Sequence, residues 1–139
     1  MNDLPDFIKS SSSIAQFKRH LSENDVTVPP FYFATNRKAE IIHCKLRLEI
    51  SDLNSDLYKR HLTDDMSCLC GSPLENARHY LVECPLFDQI RPTTINLIPN
   101  FLHVPTKQLT RGSADKSIHE NYAIFEKVQE FITLSGRFP

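Results

Sequence analysis

Residues 68–84 read C-L-C-G-S-P-L-E-N-A-R-H-Y-L-V-E-C, a C-x-C-x8-H-x4-C pattern. Three of the chain's four cysteines and one of its six histidines fall in this window. Three thiolates and one imidazole close the tetrahedral N/S set that structural zinc prefers, so Cys68, Cys70, His79 and Cys84 are the expected ligands. Cys68 and Cys70 can share one metal only across a turn, because alternate strand residues face opposite sides. Gly71 supplies the backbone freedom for that turn. Ser72-Pro73-Leu74-Glu75 reads as a capping box with proline at the first helical position, which predicts a helix from Pro73 carrying His79 about two turns in. On an unbroken helix His79 and Cys84 would lie about 140° apart. Pro85 disfavours helix at Cys84 and lets that residue turn back. The plainer alternative is three buried reduced thiols beside a surface histidine. A disulfide is disfavoured by the close Cys68–Cys70 spacing and by the lack of any secretory mark.

Outward from this window the chain is short and soluble in character. Its 139 residues suffice for one domain with a modest core, with 40% hydrophobic and 24% charged residues. Three glycines and no tryptophan disfavour a turn-rich β-sandwich. The formal net charge of −1 argues against a strongly basic nucleic-acid-binding domain. The opening M-N-D-L-P-D-F-I-K-S has neither a basic n-region nor an apolar h-region. No apolar run approaches the ~20 residues of a membrane helix. The expected setting is reducing and intracellular, nuclear or cytoplasmic.

The expected architecture is all-α: a small, irregular helical domain stapled by one structural zinc, with extended connectors. Residues 1–36 are expected to hold a short helix, starting at the Ser13 capping box and running to about Ser22, and a Pro/aromatic connector. Residues 37–139 are expected to form a single helical domain. In the connector, Pro29-Pro30 excludes helix, and Phe31-Tyr32-Phe33 can either stack on bases or pack the connector onto the core. Ile42, Leu46 and Ile50 line one face of a helix. Ser51 can cap a second helix that turns Leu53, Leu57 and Tyr58 inward. Cys44 reads as a buried thiol, and His43 and His61 as structural. Thr63-Asp64-Asp65 reads as a polar loop.

Beyond the metal window, residues 86–98 form a weaker helical stretch interrupted by Pro92. The clearest helix spans 115–134, with Ile118, Tyr122, Phe125, Val128 and Ile132 as its apolar stripe and Gly136 as its C-terminal cap. The most basic stretch holds Arg37, Lys38, Lys45, Arg47, Lys59 and Arg60, the candidate nucleic-acid contacts. Glu40, Glu49, Asp52 and Asp56 nearly balance it, so a solvated mixed-charge face competes with a phosphate-contacting one.

The strings H-C-K-L-R-L, S-D-L-N-S-D-L-Y-K-R-H-L and C-L-C-G-S-P-L-E-N-A-R-H-Y-L-V-E-C-P-L-F-D-Q-I-R, with N-Y-A-I-F-E-K-V-Q-E-F-I and G-R-F near the end, resemble the C-terminal tail of non-LTR, LINE-like retrotransposon endonuclease–reverse transcriptase polyproteins. The likeness covers roughly residues 30–138. It implies a zinc-knuckle-like tail with no catalysis of its own, which holds template RNA or target DNA beside the remainder of a retrotransposon polyprotein. It also implies a fragment of an element or a small derived gene, because the endonuclease and polymerase sequences are not within these residues. Arg47 would be the basic residue of the L-R motif. Glu49 stands where that family would be expected to carry glycine. The alternative is a structural or protein–protein interaction domain in which zinc only holds the helices together.

Overall fold

A computed structural model describes residues 29–139; the expected helix at 13–22 lies outside them. Residues Phe31–Pro139 form one compact unit. Every regular element among the described residues is helical, with no strand. Four α-helices frame the unit: α1 Arg37–Leu48, α2 Asn54–Lys59, α3 Thr106–Arg111 and α4 Ile118–Ser135. Between α2 and α3 the chain runs through a π-turn, His79–Glu83, and a succession of 3-10 turns.

α1 begins where the Asn36 side chain accepts from the Ala39 N–H at 2.9 Å. Ala39, Ile42, His43 and Leu46 recur at helical spacing and are buried. The helix stops at Glu49, whose φ of 60° and ψ of 38° are left-handed, the conformation glycine adopts most readily. Ile50, expected on the buried face, therefore lies past the helix end and is 43% exposed. In α2, Leu53 at the N-cap is fully buried, but Tyr58 points outward rather than inward.

α4 starts on a capping box that was not among the expected ones, with Ser117 and Glu120 bonding reciprocally, and closes at the expected Gly136 with φ 62°. Its buried side comprises Ile124, Phe125, Val128, Phe131 and Ile132. Ile118 and Tyr122 were expected in this stripe and are instead exposed. Asn121 takes the inward place at that end, because its amide accepts from the Ser113 N–H and donates to the Ser113 carbonyl, each at 2.9 Å.

Phe31 and Tyr32 pack on Phe125, edge-on and stacked respectively, so the aromatic connector belongs to the core. Pro30–Tyr32 forms a 3-10 turn rather than extended chain. The expected helix at 86–98 resolves into separate 3-10 turns, Pro85–Phe87, Arg91–Thr93 and Ile95–Leu97. Pro92 lacks the N–H that an α-ladder needs there and would clash with the carbonyl four residues back. Ile95 and Ile98 still reach the core from this irregular segment, while Leu86 is exposed.

Candidate metal centre

The four expected ligands meet. The sulfurs of Cys68, Cys70 and Cys84 and a ring nitrogen of His79 all lie within 4.8 Å of one another. Cys68 Sγ and Cys84 Sγ are 3.7 Å apart, and Cys70 Sγ is 3.3 Å from His79 Nε2. Two sulfurs on a tetrahedral zinc, each near 2.3 Å from the ion, would stand about 3.8 Å apart. The cluster thus has the size of one four-coordinate ion, and an ion would draw its wider edges in by about an ångström. All four cysteines are free thiols. Cys44 sits elsewhere on α1 and is half-buried, less enclosed than expected.

Local backbone geometry explains how neighbours in sequence converge. Cys68 donates its N–H to the Ser72 carbonyl at 2.8 Å, and Gly71 donates to the Cys68 carbonyl at 3.0 Å. This loop closes only because Gly71 sits at φ 101°. Cys68 and Cys70 then face the same point. Downstream, the Cys84 N–H donates to the His79 carbonyl at 2.7 Å, five residues back. That π-type bond widens the turn and stacks Cys84 over His79, removing the angular mismatch of an ordinary helix. Cys84 itself is extended, with ψ 122°, as Pro85 requires.

The helical segment bearing His79 starts at Ala77, not at Pro73. Asn76 is its cap, with Oδ1 accepting from the His79 N–H at 2.9 Å. Ser72 bonds only within its own turn. Glu75, expected to serve a capping box with Ser72, has been taken for a tertiary task. Its buried carboxylate binds Arg137 through two contacts, 2.8 and 3.0 Å, and accepts from the Asn54 N–H at the start of α2 at 2.8 Å. It also lies 4.0 Å from Cys68 Sγ.

Arg91 is a second residue whose role the sequence did not disclose. It is 4% exposed. Its guanidinium donates to the carbonyls of Leu81 (2.9 Å), Tyr80 (2.9 Å) and Cys84 (2.6 Å), and to Asp88 (2.8 Å). One side chain thereby holds the end of the turn that positions two of the four ligands. Tyr80 anchors the same turn on α4 through a 2.6 Å bond between its hydroxyl and Ser135 Oγ.

The two ends of the cysteine set differ in electrostatics, and without a cation Cys84 is held as a thiol. Burial pushes the Cys84 thiol up to about 12, while the Ser72 N–H holds Cys70 below the usual thiol range. A cation that displaces the protons compensates the buried sulfur at Cys84. His79 presents Nε2 to the cluster and turns Nδ1 toward Glu83 Oε1, 3.9 Å away. At that distance the carboxylate is a neighbour and not a hydrogen-bond partner of the ring.

The basic residues of 37–61 scatter. Arg37, Lys38 and Lys45 are exposed on α1. Arg47 is half-buried, with its guanidinium 3.8 Å over the Tyr32 ring and donating to the Thr110 carbonyl at 2.9 Å. Lys59 pairs with Glu49 at 2.6 Å. Arg60 donates to the Ser51 carbonyl at 2.6 Å. His43 is fully buried, donating from Nε2 to the Leu109 carbonyl (2.8 Å) and accepting at Nδ1 from Gln129 (3.1 Å). Among the described residues no helix is long and apolar enough to cross a membrane.

No protein-family model matches the chain, and no solved structure matches it. Two curated relatives do. Over 87 residues the chain is 33% identical to the Retrovirus-related Pol polyprotein from type-1 retrotransposable element R1 of Bradysia coprophila, which covers 61% of this chain and 8% of that protein. Over 89 residues it is 28% identical to the corresponding polyprotein of element R1 2 of Nasonia vitripennis, covering 59% of this chain and 22% of that protein. The chain therefore spans less than a quarter of the length of the curated relatives it matches. By these likenesses it is related to the Pol polyproteins of R1 retrotransposable elements, within the non-LTR group that its motif resembles.

Proposed function

We propose that this chain is a zinc-stapled accessory module of a non-LTR retrotransposon-type polyprotein. It holds nucleic acid, template RNA or target DNA, and performs no chemistry of its own. The observation that carries the reading is the converged Cys68–Cys70–His79–Cys84 set within a chain related to R1 Pol polyproteins. Three thiolates and one imidazole suit zinc among the available metals and leave no open position for substrate, which favours a structural ion. The helical module over residues 37–139 supplies the scaffold, and the reducing interior of the cell, nucleus or cytoplasm, keeps the thiols available. Arg37, Lys38, Lys45, Arg47, Lys59 and Arg60 are the contacts proposed from the sequence. Arg37, Lys38 and Lys45 are the more accessible of them, since Arg47 and Arg60 bond to backbone carbonyls within the fold.

The test has two parts. Metal analysis of the purified protein should return one zinc per chain. Binding to RNA and DNA should then weaken linearly in log K against log salt, as phosphate contacts require. One zinc without any binding at ~50 mM salt would leave a purely structural or protein-interaction domain, which the net charge of −1 also fits.

A further inference from the structure

A cleft of about 580 Å³ opens between the end of α1, α2, the loop that leads into the metal turn, and α3. Five cations line it, Arg47, Lys59, Arg78, Lys107 and Arg111, against two carboxylates, Glu49 and Asp56. Both carboxylates are engaged: Glu49 pairs with Lys59, and the buried Asp56 accepts from Ser51 Oγ at 2.6 Å. The cations are partly engaged as well: Arg78 pairs with Glu83 at 3.0 Å, and Arg47 and Arg111 each donate to a backbone carbonyl while keeping their charge, so the lining carries five cations to two carboxylates in a chain of net charge −1. Three of the five cations, Arg78, Lys107 and Arg111, lie outside the basic stretch that the sequence points to. Lys107 makes no ion pair among the described residues. Tyr58, turned outward and 45% exposed, lines the same cleft.

We infer that this cleft, rather than the outer face of α1, seats a single strand of nucleic acid. The inference rests on the nucleic-acid reading above and specifies its site. Cations along a groove track phosphates, and an exposed aromatic ring beside them offers a stacking platform for a base. The cleft has the size of a small-ligand pocket, room for a couple of nucleotides of a single strand and not for the body of a duplex. Metal binding and strand binding are coupled by construction. Arg78 directly precedes the ligand His79, and Leu74 and Asn76, between Cys70 and His79, form part of the same wall.

The test uses the full zinc-loaded chain and labelled single strands of roughly 12 nucleotides, RNA and DNA, beside the matching duplexes. The strands should bind more tightly than the duplexes. Lys107→Glu and Arg78→Glu should each weaken strand binding about tenfold and take about one unit from the salt slope. Tyr58→Ala should weaken it about fivefold or more, and Tyr58→Phe should not. Zinc content and helicity are measured on every variant. Should Arg78→Glu disturb the metal, Lys107→Glu on α3 still decides. If the cleft variants bind like the parent while Arg37→Glu and Lys38→Glu abolish binding, the cleft is wrong and the broader function stands. A preference for duplex overturns the cleft as well. A parent that binds no nucleic acid overturns both readings.

Discussion

Replacing Arg91 by alanine should reveal how the metal turn is held. Three backbone carbonyls, those of Tyr80, Leu81 and Cys84, accept from this one guanidinium, at 2.9, 2.9 and 2.6 Å. Arg91 is 4% exposed, and Tyr80, Leu81 and Cys84 are fully buried, so water cannot readily replace the lost donors. The Cys84 carbonyl keeps a bond from the Phe87 N–H at 3.3 Å, so two carbonyls are left unpaired, each costing about 1–3 kcal/mol. The side chain's own desolvation is recovered on truncation, which trims the total, so a loss of about 2–4 kcal/mol is expected. A domain of this size has only about 5–15 kcal/mol in hand. The turn also presents His79 and Cys84, so zinc affinity should fall by about 10–100-fold, as when outer-shell partners of a metal are removed. Arg91→Lys should recover only part of both, because an ammonium is a compact point charge and cannot span three carbonyls as the planar fork does. Denaturant unfolding of the zinc-loaded variants gives the stability, and competition with a chelating indicator gives the affinity. An Arg91→Ala protein within about 1 kcal/mol of the parent and with undiminished zinc affinity would refute the argument.

Other perturbations test neighbouring parts of the structure. His79→Ala or Cys84→Ala should abolish tight zinc binding and melt at least residues 62–91, since ligand assembly and folding are one equilibrium worth roughly 10–16 kcal/mol in zinc-finger-sized sites. Cys44→Ala should keep full zinc and lose on the order of 1–2 kcal/mol of packing, and zinc stoichiometry with circular dichroism separates these cases. Glu49→Gly should relieve about 1 kcal/mol of left-handed strain and lose an exposed ion pair worth less than that, so the thermal midpoint should hold or rise; a clear fall would refute it. Burial lowers the His43 pKa from 6.5 to about 3. The unfolded chain then binds the extra proton first, so this stabilisation is complete above about pH 6.5 and declines by about 1.4 kcal/mol per unit as pH falls from there toward 3. Imidazole NMR should show His43 neutral from pH 7 to 5, and a midpoint near 6.5 would contradict the buried geometry.

The convergence of the four candidate ligands was legible because their chemistry is local. Seventeen residues contain all four, and Gly71 and Pro85 prescribe the two bends that let them converge. α4 was legible for the same reason: the spacing of Phe125, Val128 and Ile132 and the Gly136 stop are local signals, although its Ser117–Glu120 capping box went unread. The left-handed Glu49 was not legible: the apolar spacing carries the helix on to Ile50, and only the backbone angle shows why a glycine would suit that position.

What only the tertiary structure decided is who satisfies whom across long separations. Ser72 and Glu75 spell a capping box, yet a bidentate partner 62 residues away, Arg137, and the open N-terminus of α2 compete for the same carboxylate and hold it. Asn76 then caps the metal helix instead. Arg47 reads as a phosphate ligand in a basic stretch, but its guanidinium lies over the Tyr32 ring and donates to the Thr110 carbonyl, 63 residues on. A charged side chain carries no mark of whether it faces water or an orphaned carbonyl; that depends on which backbone groups the fold leaves unpaired. The cationic cleft is the same case in reverse, since α1, α2, the metal loop and α3 each contribute one or two charges that no stretch of sequence concentrates. Local patterns specify the turns and the gathering of the four candidate ligands, and the destination of each long polar side chain is settled only when distant segments close around it.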